Sequence, residues 1–230
     1  MTTQLILNFD SPDDINFNSF YPGANEEVIY HIKSLLNGKG EQFIYLWSPQ
    51  GEGKSHLLQA ACNHLWNKGQ TASYIPLLQS MDMAPDILDG LENFKLICLD
   101  DIFSIAGKKD WEIALFNLFN RIKNSQAKLI ISAKTPANQL PINLPDLRSR
   151  LSWGLTSQLH ALDDAQKQAA LKDHAYHHGF QLPDKTLGFL MNHCSRDNHT
   201  LFSLIDRLDK ASMESHHKLT IPFIKKVLHL

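Results

Sequence analysis

The sequence predicts an α/β protein: a P-loop domain with a parallel sheet flanked by helices, followed by a small all-α domain. Three observations predict it. Short apolar runs alternate with helical stretches over roughly the first 150 residues, the pattern of parallel strands with crossover helices. A glycine-rich turn, Ser48-Pro49-Gln50-Gly51-Glu52-Gly53-Lys54-Ser55, joins one such run to a helix. Beyond residue 160 the strand-like runs stop and only helical periodicity remains.

Residues 1–22 alternate apolar and polar and read as an extended arm ending at Tyr21-Pro22-Gly23. Ala24–Leu36 carries Val28, Ile29, Ile32, Leu35 and Leu36 at helical spacing, with Gly38 just past its end. Phe43–Trp47 is continuously apolar, as expected of a strand covered on both faces. A helix follows from Lys54 to Trp66, then strands at Ala72–Ile75 and Lys95–Leu99, a helix at Trp111–Ile122 and a strand at Lys128–Ser132. Four helices are expected afterwards, at Ala165–His178, Lys185–Cys194, Leu201–Ser212 and Ile221–Leu228. The domains are therefore drawn as an arm (1–22), an α/β domain (23–160) and a helical domain (161–230).

The composition is that of an ordinary globular chain: 230 residues, 43% hydrophobic and 20% charged. Its 22 Lys+Arg against 24 Asp+Glu leave a net charge of −2. That balance argues against affinity built on neutralising many phosphates, so strong direct DNA binding is not expected. Cys62, Cys98 and Cys194 lie far apart among apolar neighbours, which reads as reduced, buried thiols. With neither a basic leader nor an apolar run approaching about 18 residues, the expectation is a cytoplasmic protein without a membrane span.

The loop after the first strand fits the P-loop pattern at Gly53, Lys54 and Ser55, while Ser48 replaces its first glycine. Backbone N–H groups at a helix N-terminus, from Gly51 through Glu52 to Ser55, suit a nucleotide's phosphates. Lys54 would reach the β- and γ-phosphates and Ser55 would ligate Mg²⁺, making ADP or ATP with Mg the expected cofactors. Leu96-Ile97-Cys98-Leu99 buries a strand and delivers Asp100 and Asp101 at its C-terminal end, where such sheets bind ligands. Asp100 can hold Mg²⁺ through water, and Asp101 can orient an attacking water.

With Trp47–Ser55, Leu96–Asp101 and Leu147–Gly154, the chain resembles the AAA+ domain of the DnaA replication initiator and, within that group, its initiator-inactivating homologues. The sharpest stretch is Leu144-Pro145-Asp146-Leu147-Arg148-Ser149-Arg150-Leu151-Ser152-Trp153-Gly154, supported by Phe20-Tyr21-Pro22-Gly23 and Thr220-Ile221-Pro222-Phe223. The resemblance implies that Arg150 is an arginine finger acting in trans on a neighbour's nucleotide, with Arg148 an extra cation beside it. It implies that Ser132 occupies the sensor position facing the γ-phosphate. Where the family places a lid arginine, this chain has His199, which lacks a guanidinium's fixed charge and fork; Arg196, three residues earlier, could substitute. The chain runs to Leu230 just after the lid, without the initiator's DNA-reading helix-turn-helix, which suggests a regulator rather than an initiator.

Gln4-Leu5-Ile6-Leu7-Asn8-Phe9 resembles the short peptide by which bacterial replication proteins bind the sliding clamp, the beta subunit of DNA polymerase III. Gln4 would hydrogen-bond at the rim of the clamp pocket, with Leu5, Leu7 and Phe9 as apolar anchors. The plain alternative is an edge strand packing on its own domain. His174, His177 and His178 share a helical face at metal-binding spacing, but no acidic or cysteine ligand completes the set in the sequence, so solvated helix faces are expected.

The leading reading is an interaction protein that binds the DNA-loaded clamp and makes the initiator hydrolyse its bound ATP, limiting re-initiation. The alternative is a stand-alone AAA+ ATPase or loader-type remodeller that uses Lys54, Asp100 and Asp101 on its own ATP, in a homo-oligomer if copies associate. A phosphoryl-transfer kinase with Arg148 and Arg150 as lid cations is a third reading; it leaves the arm unexplained.

Overall fold

The computed structural model describes residues 15–49, 51–80, 82–195, 197–215 and 219–228, with the backbone alone at 199, 214 and 215. Chain contacts divide it into two compact units, up to His160 and from Ala161.

The first unit runs α1 (Glu26–Leu36), β1 (Phe43–Trp47), α2 (Lys54–Trp66), β2 (Ala72–Pro76), β3 (Leu96–Asp100), α3 (Lys109–Lys123), β4 (Lys128–Ala133), α4 (Pro145–Leu151) and β5 (Leu155–Gln158), with four short 3-10 turns between them. All five strands are parallel in the order β2-β3-β4-β1-β5. Side chains alternate faces along a strand, and both faces here are covered, which is why the runs read as continuously apolar. Tyr45, Ile97, Leu99, Leu129 and Ile131 pack with Trp111, Leu115, Leu118 and Phe119 of α3 and Leu147 and Leu151 of α4. Ile44, Leu46, Leu96, Cys98 and Ile130 pack with Val28, Ile32 and Leu35 of α1 and Leu57, Leu58 and Leu65 of α2. Each fully buried aliphatic side chain contributes about 1.5–3 kcal/mol of transfer free energy.

Two elements escape sequence reading. β5 is a four-residue edge strand with polar residues at three of its positions, so it carries no apolar run. α4 spans only seven residues with two arginines; its start is set by Pro145 at the first helical position, where no N–H is needed. α1 begins at Glu26 rather than Ala24. Asn25, buried, accepts from the N–H of His160 (2.7 Å) and donates to its carbonyl (3.0 Å), tying the start of α1 to the end of the unit.

The second unit is all helical: α5 (Asp164–His177), α6 (Asp184–His193), α7 (Asn198–Ser215) and α8 (Ile221–Leu228). Asp163 and Gln166 form a reciprocal capping box at α5. Leu171, Leu187, Leu190, Leu201, Ile205, Leu208 and Ile224 make its core. No helix among the described residues is long and apolar enough to cross a membrane. Two expectations need correction. Cys62 and Cys98 are buried free thiols, but Cys194 is half-exposed. The histidines of α5 do have an acidic neighbour: Asp206 lies 32 residues on in sequence, and helix packing brings it to His174.

Candidate nucleotide site and the arginine helix

The strand order decides what meets at the sheet's C-terminal edge. β4 lies between β1 and β3, with Leu46 opposite Ser132 and Leu99 opposite Ile131. The end of β4 therefore separates the loop after β1 from the acids ending β3.

Ser48 continues β1 and is fully buried, its N–H bonded to the Ala133 carbonyl at 3.2 Å. Gly51 and Gly53 both take φ of +90°, a region that penalises any Cβ. At Gly53 the space is closed as well, since a Cβ there would lie 2.7 Å from Cε2 of Phe20. Lys54 and Ser55 open α2, whose first N–H groups have no partner within the helix and suit an anion. The Lys54 ammonium donates to the Ser48 carbonyl (2.8 Å), the Ser48 hydroxyl (3.0 Å) and the Pro49 carbonyl (2.8 Å). Ser48 thus supplies through its hydroxyl a contact that the pattern's glycine would lack. Burial lowers the Lys54 pKa, opposed by the charges of Asp100, Asp101 and Glu52. Gln50 lies outside the described residues.

Asp100 is buried and engaged at both oxygens. The Ser132 hydroxyl donates to Oδ1, and the Tyr74 hydroxyl donates to Oδ2 at 2.7 Å. Burial and the Asp100 charge push the Tyr74 phenol up, so it stays a neutral donor. Asp101 is the one described non-glycine residue at positive φ (61°). Its N–H donates to Ser132 Oγ at 2.9 Å, and its Oδ2 pairs with Lys134 at 2.9 Å. Its Oδ1 is buried without a partner. A carboxylate oxygen left unpaired beside buried Asp100 and a lysine-bearing loop fits a water or cation at this edge.

Arg150 sits elsewhere, on α4, which packs on α3. Its guanidinium reaches Asn120 Oδ1 at 3.4 Å and lies 5.8 Å from the centre of the half-exposed Trp153 ring. Among the described residues it has no ion pair. Arg148 instead donates to the Ile142 carbonyl, so it braces the segment leading into α4. Arg196 and the side chain of His199 lie outside the described residues, and His199 itself falls in the first turn of α7. Gln4, Leu5, Leu7 and Phe9 also lie outside them.

Sequence reasoning missed Tyr74, Lys134, Phe20 as the neighbour of Gly53, and Glu112. Glu112 is 1% exposed, and its carboxylate accepts from the N–H groups of Gly107 (2.8 Å), Asn143 (3.0 Å to each oxygen) and Leu144 (2.8 Å). The signal for Lys134 was its place two residues past Ser132. Tyr74 and Glu112 left none, because their partners are 26 or more residues away along most of these contacts.

Comparison with known proteins adds the lineage. Residues 12–158 match the family model of the bacterial DnaA ATPase domain, and residues 164–228 match that of the Hda lid domain. The chain belongs to the DnaA family of AAA+ proteins. The fold agrees with solved members. Domain III of the Thermotoga maritima replication initiation protein DnaA is 19% identical over 94% of this chain and 96% of its own, with a TM-score of 0.79. AMPPCP-bound DnaA from Aquifex aeolicus is 21% identical over 87% of this chain and 67% of its own, with a TM-score of 0.70. The replication initiator DnaA bound to AMPPCP and single-stranded DNA is 18% identical over 88% of this chain and 68% of its own, with a TM-score of 0.71. The five-stranded parallel sheet with a helical lid unit is thus the DnaA-type AAA+ architecture, and the lid match falls on the α5–α8 unit.

Proposed function

We propose that this DnaA-family protein is a negative regulator of replication initiation. It binds the DNA-loaded sliding clamp through Gln4, Leu5, Leu7 and Phe9, and it presents Arg150 in trans to ATP held by the initiator. One observation carries the second part. Among the described residues Arg150 makes no ion pair; its guanidinium is backed by Trp153 on the α3–α4 surface, and its contacts are Asn120 and Trp153 rather than Lys54, Asp100 or Asp101 of its own chain. Supplied to a neighbour's transferring phosphoryl group, such a finger is worth roughly 10³–10⁵ in rate, about 4–7 kcal/mol. The clamp part rests on the sequence pattern alone.

The chain's own site suits ADP or ATP. Gly51 and Gly53, on either side of Glu52, let the backbone approach phosphates closely, and Lys54 would exchange its loop carbonyls for phosphate oxygens. Ser55 and Asp100 would hold Mg²⁺, which supplies neutralisation of phosphate charge. Asp100 would do so with both oxygens already orienting on Ser132 and Tyr74, which fixes its carboxylate plane. Asp101, tied to Lys134, keeps one oxygen for a water, and Ser132 bridges the two acids. The resemblance to the family adds His199 and Arg196 as candidates for nucleotide binding.

The deciding experiment measures hydrolysis of initiator-bound ATP with this protein and DNA-loaded clamp added singly and together. A large acceleration that needs both, is lost in Arg150→Ala and is lost on removing residues 4–9 is expected. Full acceleration by Arg150→Ala overturns the finger. Steady turnover of ATP by the protein alone, without effect on the initiator, moves the function to a stand-alone ATPase using Lys54, Asp100 and Asp101 on its own nucleotide.

A further inference from the structure

The helical unit holds a second cluster of chemistry-bearing side chains. His174 and His178 are four apart along the end of α5, so both imidazoles leave the same face. α7 packs on α5 and brings Asp206 up to them. His174 Nε2 lies 2.6 Å from Asp206 Oδ1, and the two imidazole centres are 4.4 Å apart with the rings tilted by 49°. One nitrogen from each histidine and one oxygen of Asp206 lie within 4.8 Å of one another.

Ligand atoms around a tetrahedral zinc ion, bonded at about 2.0–2.2 Å, stand roughly 3.4 Å apart. The three groups therefore stand within about 1.5 Å of that spacing. Phe202 of α7 meets the His174 ring edge-on at 5.1 Å and limits how that ring turns. Asp209, one turn beyond Asp206, adds a second carboxylate to the neighbourhood. Burial and the Asp206 charge raise its carboxyl, while His178 and His174 lower it. Two imidazoles and a carboxylate select a borderline cation such as Zn²⁺ over Mg²⁺, which prefers oxygen alone.

We propose that His174, His178 and Asp206 form a binding site for one Zn²⁺ ion, bridging α5 to α7 and leaving a fourth position for water or an outside ligand. None of the three residues is among those assigned to the nucleotide, the clamp or the arginine finger. Binding to the folded state alone would stabilise the lid by mass action.

The test uses the full chain, without affinity tag or nucleotide, at pH 7.5 where imidazoles are free to ligate. Calorimetric titration with ZnCl₂ should give one ion per chain at about micromolar affinity, and Co²⁺ should give visible absorption bands. His178→Ala and Asp206→Asn, each with unchanged circular dichroism, should weaken binding by about tenfold or more. His177→Ala should leave it unchanged, because that ring faces Asp173 instead, at 3.7 Å. The absence of saturation below about 100 µM, or Zn²⁺ binding undiminished in both His178→Ala and Asp206→Asn, overturns the proposal.

Discussion

Ser132 donates its hydroxyl proton to Oδ1 of Asp100 and, through the same oxygen, accepts the N–H of Asp101 at 2.9 Å. One hydroxyl thus sets the plane of a buried carboxylate and holds the next residue at φ 61°. Ser132→Ala leaves a buried acceptor and a backbone donor short of a partner, at about 1–3 kcal/mol for each such group. The expected outcome is a urea midpoint lowered by about 2 kcal/mol equivalent with the slope unchanged. A midpoint equal to that of the parent would mean that Tyr74 alone suffices to hold Asp100.

Gly154 and Gly51 separate two costs of adding a methyl group. Both have positive φ, +93° and +90°. A Cβ on Gly51 meets nothing within 4 Å, whereas one on Gly154 would lie 2.6 Å from the Phe43 carbonyl oxygen, which is backbone in β1. Gly51→Ala should cost about 1–2 kcal/mol of strain alone. Gly154→Ala should cost about 3 kcal/mol or more, since strain adds to overpacking. Equal unfolding midpoints for the two variants would refute the clash.

Arg121 ties α3 to the preceding turns: Nε donates to Glu92 Oε2 at 2.9 Å, and Nη2 donates to the Leu88 carbonyl at 2.9 Å and to Asp89 at 3.2 Å. Desolvation raises the Glu92 carboxyl, but its backbone hydrogen bond and Arg121 outweigh this and leave it below the ordinary value. A depressed carboxyl stabilises the fold above its unfolded pKa, about 4.3, and that contribution is lost as pH falls through the lower folded value. Arg121→Ala should therefore cost about 1 kcal/mol at pH 7, the acids being partly screened by water. The difference should shrink below pH 4. A difference constant between pH 7 and pH 3 in urea titrations would place the loss in the Leu88 carbonyl contact instead.

The sheet and its loop were legible because their signals are local. Phe43–Trp47 and Leu96–Leu99 are apolar without interruption, and Gly53-Lys54-Ser55 follows the first after a loop of five residues. β5 was not, since its core contact is an edge pairing with β1 and it has few apolar residues to mark it. Tyr74 on Asp100 and Asp206 on His174 were not legible either. These contacts are made by strand order and helix packing across 26 and 32 residues, which no spacing rule records.

Glu112 marks where that long-range order reaches the arginine helix. Its buried carboxylate gathers the N–H groups of Gly107, Asn143 and Leu144, and Leu144 is the residue from which α4 starts. Glu112→Gln keeps one acceptor oxygen but turns an NH₂ toward at least one N–H donor, an expected cost of about 2–3 kcal/mol. Glu112→Ala removes the carboxylate altogether and leaves the N–H groups of Gly107, Asn143 and Leu144 without their charged acceptor, an expected cost of about 3–5 kcal/mol. Hydrogen exchange is the sharper measurement. In Glu112→Gln the amides of Gly107, Asn143 and Leu144 should exchange faster while those of β1 keep their protection, because the loosening is confined to the two loops that the carboxylate joins. If those three amides keep parental rates, Arg148 on the Ile142 carbonyl holds the start of α4 without help from Glu112, and the stability loss must be sought in α3.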